Sequence, residues 1–327
     1  MDRRTALGVG LVAVSAAGYG SGSVLAGPIY ATGVDWLTLV AWRFLIGAAL
    51  GWIWVLVSAS RRADVRRLSR RQLAVALGLG ALFTGNAGTY YAGLETVPAA
   101  LAGVLVYTYP VIVAVLSLRF ATRLPGRRPW IALVLAIVGS VLALGGIDVR
   151  SAPPISGLLL VWVSALIYSV WIILSARLSG ERRHHLATDA PAAESAVGDA
   201  AVTTAVMMTA TAAVFLGAAL ATGRDVDPGS IPRAAWPLLL GVGFLASFLA
   251  IQTFYAGTRR IGAAKAALIS TVEPPVIVVL AWLVLGQTLA PIQLAGAALI
   301  LVGVIIAQTA PRPRGAPEPA TPLEAEV

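Results

Sequence analysis

One acid and one base stand inside strongly apolar sequence, where either can do chemistry only at a cost. Glu273 heads the run EPPVIVVLAWLVLG and is followed at once by Pro274 and Pro275. Arg43 lies seven residues beyond Trp36 in WLTLVAWRFLIGAALGWIWVLV. A carboxylate at the centre of a lipid-spanning helix costs at least ~2.5 kcal/mol on insertion scales, so such a residue reads first as functional. Glu273 could exchange a proton with a solute or with the cytoplasm, and the alternative is a hydrogen-bonded acid that only fixes packing. Arg43 could extend outward to the membrane boundary or meet an anionic group, on a solute or on Glu273.

Polar groups collect beside the prolines. Pro274 removes the helix bond to the carbonyl of Ser270, Pro275 the bond to Thr271, and Pro110 the bond to Val106. Carbonyls freed in hydrocarbon need a hydroxyl, water or a ligand, so these kinks must face a cavity or packed protein. Tyr107, Thr108, Tyr109, Ser270 and Thr271 are the nearby polar side chains. Tyr19 and Tyr168 add rings among small neighbours, with Gly18, Gly20 and Gly22 flanking Tyr19. Asn86, between Thr84 and Thr89, forms the most polar cluster apart from Glu273. These side chains are the candidate solute-binding or coupling set.

Enzyme chemistry finds no foothold. No Ser/His, paired-carboxylate or metal constellation converges on one depth. The two histidines, His184 and His185, are adjacent in a polar loop with no spaced ligand pair, and there is no cysteine. No glycine-rich nucleotide loop is present, so neither ATP nor another cofactor is implied.

The elements that position these residues follow from composition. Hydrophobic residues make up 58% of the 327 and charged residues 12%, against roughly 25% charged in a soluble domain. An all-α integral membrane protein is expected, with the lipid bilayer as its surroundings. Apolar runs fall at 5–27, 36–58, 72–94, 98–119, 130–146, 155–178, 200–222, 234–257, 263–286 and 291–309, which predicts ten transmembrane helices. The tail 310–327 is rich in proline and charge and reads as disordered. The start MDRRTALGVG also resembles a signal peptide, but the repeat described next argues for a retained helix.

The net charge of +9 comes from arginines in alternate loops, such as Arg61, Arg62, Arg66 and Arg67, or Arg259 and Arg260, while PIYATGVD and LETVP carry none. This distribution points to membrane orientation rather than a nucleic-acid partner, with both termini cytoplasmic.

The chain also repeats itself. YYAGLETVPAALAGVLVYTYPVIVAVL aligns without a gap on FYAGTRRIGAAKAALISTVEPPVIVVL at an offset of 164, placing Tyr91 on Tyr255, Tyr109 on Glu273 and Pro110 on Pro274. Ser15, Ala16 and Tyr19 fall on Ser164, Ala165 and Tyr168 at an offset of 149. Two halves follow, 5–146 and 155–309. Five helices each is an odd number, so the halves cross in opposite senses, as inverted repeats. Such repeats are a signature of secondary transporters, with the solute site near the membrane midplane.

With these segments in view, RIGAAKAALISTVEPPVIVVLAWLVLGQTLAPIQLAGAALILVGV resembles the second repeat of EamA-type proteins of the drug/metabolite transporter superfamily, and VPAALAGVLVYTYPVIVAVL resembles the first. The resemblance implies a ten-helix exporter of the bacterial cytoplasmic membrane. Its implied partners are a small-molecule substrate, an amino acid or related metabolite, or else a drug or organic cation; a non-transporting receptor or assembly subunit is the reading from another class. It also implies a cavity lined by the first four helices of each half. One departure is Gln287, where such repeats commonly read Leu-Gly-Glu.

Overall fold

A computed structural model describes residues 3–109, 111–113, 116, 127–144, 152–178, 200–261 and 269–308. The predicted tail, His184, His185 and Pro110 lie outside these residues. Every regular element among the described residues is helical. In order they are α1 (Arg3–Ala31), α2 (Trp36–Val57), α3 (Ala59–Arg66), α4 (Arg70–Leu94), α5 (Ala99–Val106), α6 (Arg128–Leu144), α7 (Ile155–Leu178), α8 (Ala200–Ala221) and α9 (Ala235–Val242). A π-helical stretch, Gly243–Leu249, joins α9 to α10 (Ala250–Ile261), and α11 (Glu273–Leu285) and α12 (Pro291–Gln308) follow.

Local chemistry sets several boundaries. Asp35 caps α2, its carboxylate accepting from the backbone N–H groups of Leu37 and Thr38 at 2.9 and 3.3 Å. Glu95 satisfies a third N–H at that end, accepting from Trp36 at 2.9 Å. Ser69 and Gln72 form a reciprocal capping box that opens α4. Gly286, with φ +64°, closes α11 in the left-handed conformation that favours glycine.

Six helical segments among the described residues are long and apolar enough to cross a membrane, one of them running from α9 through the π-helical stretch into α10, and four further apolar helices are shorter. Large apolar side chains such as Val57, Val141, Ile155, Leu220 and Leu283 lie exposed on the outside. An apolar exterior of this extent fits lipid rather than water.

The packing is doubled in the same way as the sequence. α1 packs on α10 as α7 packs on α4, and α1 meets α11 as α7 meets α5. The pairs α2–α8, α5–α11 and α6–α12 join each element to its own equivalent. Within α2–α8, Phe44 stacks on Phe215, Gly47 faces Met208 and Gly51 faces Ala205, so the two helices run antiparallel.

Lipid tails are as apolar as leucine, so such helices associate by close backbone approach at small residues. A Cβ added at Gly93 would stand 2.8 Å from Val161 Cγ2 and 3.1 Å from the carbonyl of Gly157. One added at Gly257, its equivalent, would stand 2.6 Å from Val12 Cγ2 and 2.9 Å from the carbonyl of Gly8. Val12 and Gly8 are the equivalents of Val161 and Gly157 at the offset of 149. The two halves therefore make one contact twice.

This doubling predicts that Gly93→Val and Gly257→Val destabilise by similar amounts, about 1–3 kcal/mol each for overpacking. Gly78→Ala, where a Cβ meets nothing within 4 Å, should leave the melting temperature unchanged or raise it. Melting of the purified protein in detergent reads all three.

Candidate functional site

The centre of the molecule is built on two interrupted helices. α5 stops at Val106, Tyr107 and Thr108 form a turn, and helix resumes at Tyr109. Opposite it, Ile269 and Ser270 are helical, Thr271 and Val272 form a turn, and α11 begins at Glu273. The offset of 164 places Tyr107 and Thr108 on Thr271 and Val272. Even the tightening bond recurs: Thr108 N–H donates to the Leu105 carbonyl at 3.2 Å, and Val272 N–H to the Ile269 carbonyl at 3.0 Å.

Here the structure changes the sequence expectation. Pro274 and Pro275 do not kink a continuous helix from within. They occupy the first turn of α11, where the missing N–H groups have no intrahelical partner to lose. Glu273, expected about eleven residues into a helix, is instead the first residue of one. The Ser270 carbonyl, which Pro274 leaves without a helix donor, accepts from the Tyr107 hydroxyl across the interface of the two halves. With Pro110 undescribed, only this half of the expected proline pair can be placed.

The 13 residues of α11 span ~20 Å at ~1.5 Å per residue. Glu273 therefore lies deep within a hydrocarbon core of ~30 Å if Gly286 marks its edge. Its side chain is half-buried. Three residues before it, the Ser270 carbonyl takes the hydroxyl of Tyr107, whose ring contacts Tyr109. Among the described residues the one ion pair is Arg224–Asp35 at 3.6 Å, far along the chain from Glu273. Thr271 is half-buried in the turn itself.

Tyr107, Tyr109 and Tyr168 are brought together. Tyr109 makes edge contacts with Tyr107 at 5.4 Å and Tyr168 at 4.6 Å between ring centres. The cluster continues through Trp171, stacked on Tyr168 at 5.8 Å, and Phe83 to Phe44. Tyr19 is half-buried on α1, between two close contacts made by its neighbours. A Cβ at Gly18 would meet the Leu245 carbonyl at 2.7 Å, and one at Gly20 would meet Ile277 at 3.0 Å.

Arg43 takes the inward course. It is 7% exposed, donates from Nε to Ser247 Oγ at 2.9 Å, and lies against the rings of Phe44 and Tyr91 at 4.8 and 4.6 Å. Contacts of this kind contribute ~0.5–2 kcal/mol each. Beside it the Tyr90 and Ser23 hydroxyls share a bond of 2.9 Å, and the Tyr30 hydroxyl donates to the Tyr91 carbonyl at 2.7 Å.

Asn86 is engaged in holding α4 to α7. Its amide nitrogen donates to both the carbonyl and the hydroxyl of Ser164, at 3.0 and 2.9 Å. The hydroxyls of Thr84 and Thr89 donate to carbonyls of their own helix. The equivalent position in the other half is Ala250, which has no side-chain amide, and there the buried Ser15 hydroxyl has no partner among the described residues. Gln287 also has a structural contact: its Oε1 accepts from the Ala100 N–H at 3.3 Å, in the first turn of α5.

Two cavities among the described residues lie elsewhere. One of about 410 Å³ is lined by Arg62, Arg66 and Arg67 with Ala59 and Ala63, and one of about 350 Å³ runs along α6 from Arg127 to Leu135.

The profile of the EamA-like transporter family matches the chain twice, over residues 6–145 and 155–309. The chain belongs to that family. It is 23% identical over 273 residues to the uncharacterized transporter YyaM of Bacillus subtilis (strain 168), covering 82% of each chain. A crystal structure, of a protein not further described, matches with a TM-score of 0.60 at 21% identity, covering 91% of this chain and 96% of its own. It shares the fold. The EamA-like chain is thus a multi-pass membrane transporter, helical in every regular element among its described residues.

For this EamA-like chain, Ser247, Ser23 and Ser164 were not singled out in the sequence. Ser247 had a signal, since a register slip marks the π-helical stretch that carries it. Gly80 faces the Met207 carbonyl and Ala210, and the matching contacts to Arg43 and Ile46 are made by Gly243. That spacing is 163 positions, whereas Tyr91 and Tyr255 are 164 apart. One extra residue therefore lies between them in the second half.

Tyr107→Phe should remove the hydroxyl bond to the Ser270 carbonyl that ties the two interrupted helices together, at a cost of about 1 kcal/mol. The melting temperature of the purified protein in detergent should fall accordingly, with the elution profile unchanged.

Proposed function

We propose that this EamA-like transporter exports amino acids or related small metabolites across the cytoplasmic membrane by alternating access. In this reading ten crossings form two inverted halves, 5–146 and 155–309, with both termini cytoplasmic. The solute sits beside the paired breaks of α5 and α11, contacted by Glu273, Thr271, Tyr107, Tyr109, Tyr19 and Tyr168.

The observation that carries the reading is the repeat-related pair of helix interruptions with an unshared acid at one of them. Irregular backbone in a membrane persists where it is buried in protein or lines a water-filled path. Discontinuous helices at a repeat interface are also the common way carriers build a midplane site. A short turn in each helix gives the halves a place to flex without breaking long runs of backbone bonds. Glu273 serves as the cation-binding or proton-exchanging group of that site. The tyrosines around it favour one second reading, an organic-cation solute held by ring faces.

The test is counterflow in liposomes with a labelled amino-acid mixture. Wild-type protein should accumulate label, and Glu273→Gln should reduce the initial rate at least ~10-fold, a change of ~1.4 kcal/mol. Uptake of cationic dyes in place of amino acids would favour the second reading. A solute that binds but never crosses, with well-folded protein, would remove the carrier reading.

A further inference from the structure

We infer that Arg43 and the π-helical turn beside it recognise the carboxylate of the transported solute, which makes the substrate a zwitterion rather than a lipophilic cation. The inference rests on the carrier reading above and deepens it.

Arg43 is a buried cation for which no described acid acts as ion-pair partner. It is 7% exposed, and the described ion pair of the chain is Arg224–Asp35. Nearly full burial of a charge without a counter-charge is expensive, and chains retain one where something else supplies the anion. Arginine suits that role because its planar fork holds two oxygens of a carboxylate at once.

The surroundings orient that fork. Nε is held by Ser247 at 2.9 Å, and the rings of Phe44 and Tyr91 pack on the guanidinium. Terminal nitrogen Nη1 points toward α1, where a Cβ on Gly22 would stand 3.8 Å from it and 2.8 Å from the Tyr91 hydroxyl. The glycine leaves room where any larger residue would press on both groups.

None of this is a property of the shared scaffold. The equivalent of Arg43 is Met207, and the equivalent of Gly22 is Trp171. α4 is α-helical throughout Arg70–Leu94, whereas its counterpart carries the π-helical stretch Gly243–Leu249 at the level of Arg43. A π-bulge accommodates one inserted residue and is frequent at functional sites. Here it presents Ser247 to the guanidinium.

Arg43 and Glu273 address one space. No salt bridge joins them, and the Tyr91 ring packed on Arg43 is in edge contact with Tyr90. A cation and an acid that do not pair with each other match the carboxylate and ammonium of an amino acid.

The experiment uses the full-length protein in detergent and reads the melting temperature against the twenty L-amino acids and the primary amines that correspond to them without the carboxylate. Wild type should be stabilised by at least one amino acid and not by its amine. Arg43→Lys, which keeps the charge and loses the fork, and Ser247→Ala should each need at least ~10-fold more of that amino acid for the same shift. Both variants should keep the wild-type elution profile without ligand. An amine that stabilises as well as its amino acid, or an Arg43→Lys protein that responds at wild-type concentrations, overturns the inference and leaves the carrier reading standing. Absence of stabilisation by every amino acid and amine, together with absence of counterflow, overturns both.

Discussion

Inside hydrocarbon there is no water to take a stray hydrogen bond, so a backbone carbonyl released by proline must find a partner in the protein. The bond from the Tyr107 hydroxyl to the Ser270 carbonyl meets that requirement. It allows α11 to start at Glu273 rather than continue from the segment before it, and it ties the first half to the second at the point where both are interrupted. Without such a donor the break would be costly, and the acid beside it would lose its place at a helix start.

Around that junction the two halves divide the work between what they share and what they do not. The shared parts are the interruption itself, the tightening bonds at Thr108 and Val272, and the glycine contacts at Gly93 and Gly257. These set the geometry twice over and give both halves the same way to pack. The unshared parts are Glu273 opposite Tyr109, Arg43 opposite Met207, and the π-helical turn with Ser247. Asn86 shows that asymmetry need not mean chemistry. Its amide bonds Ser164, and the second half lacks that clamp, the Ser15 hydroxyl having no partner among the described residues.

Much of this was legible in the sequence because lipid imposes few solutions on a chain. Apolar length gave the long apolar helices among the described residues, and Pro274 gave the need for a hydroxyl near the Ser270 carbonyl. What was not legible was whether proline would bend a helix or open one, since either satisfies the same pattern. That choice depends on Tyr107, a residue 163 positions away that supplies the missing donor. The direction of Arg43 was undetermined for a similar reason: a long side chain near a boundary can reach water or fold inward, and only the rings of Phe44 and Tyr91 decide. The bonds of Asn86 to Ser164 were not legible either, because polarity in an apolar run carries no label for its partner.

The central claim is that the junction beside Glu273 is the place to which both sides of the membrane gain access in turn. The natural chain has no cysteine, so Thr271→Cys gives a single reporter in the turn itself. The decisive measurement is the labelling rate of that cysteine by a membrane-impermeant maleimide, added from either face of sealed vesicles with and without a transported amino acid. The account predicts labelling from both faces, slowed by the solute. A cysteine that reacts from neither face, in protein that still performs counterflow, would contradict it.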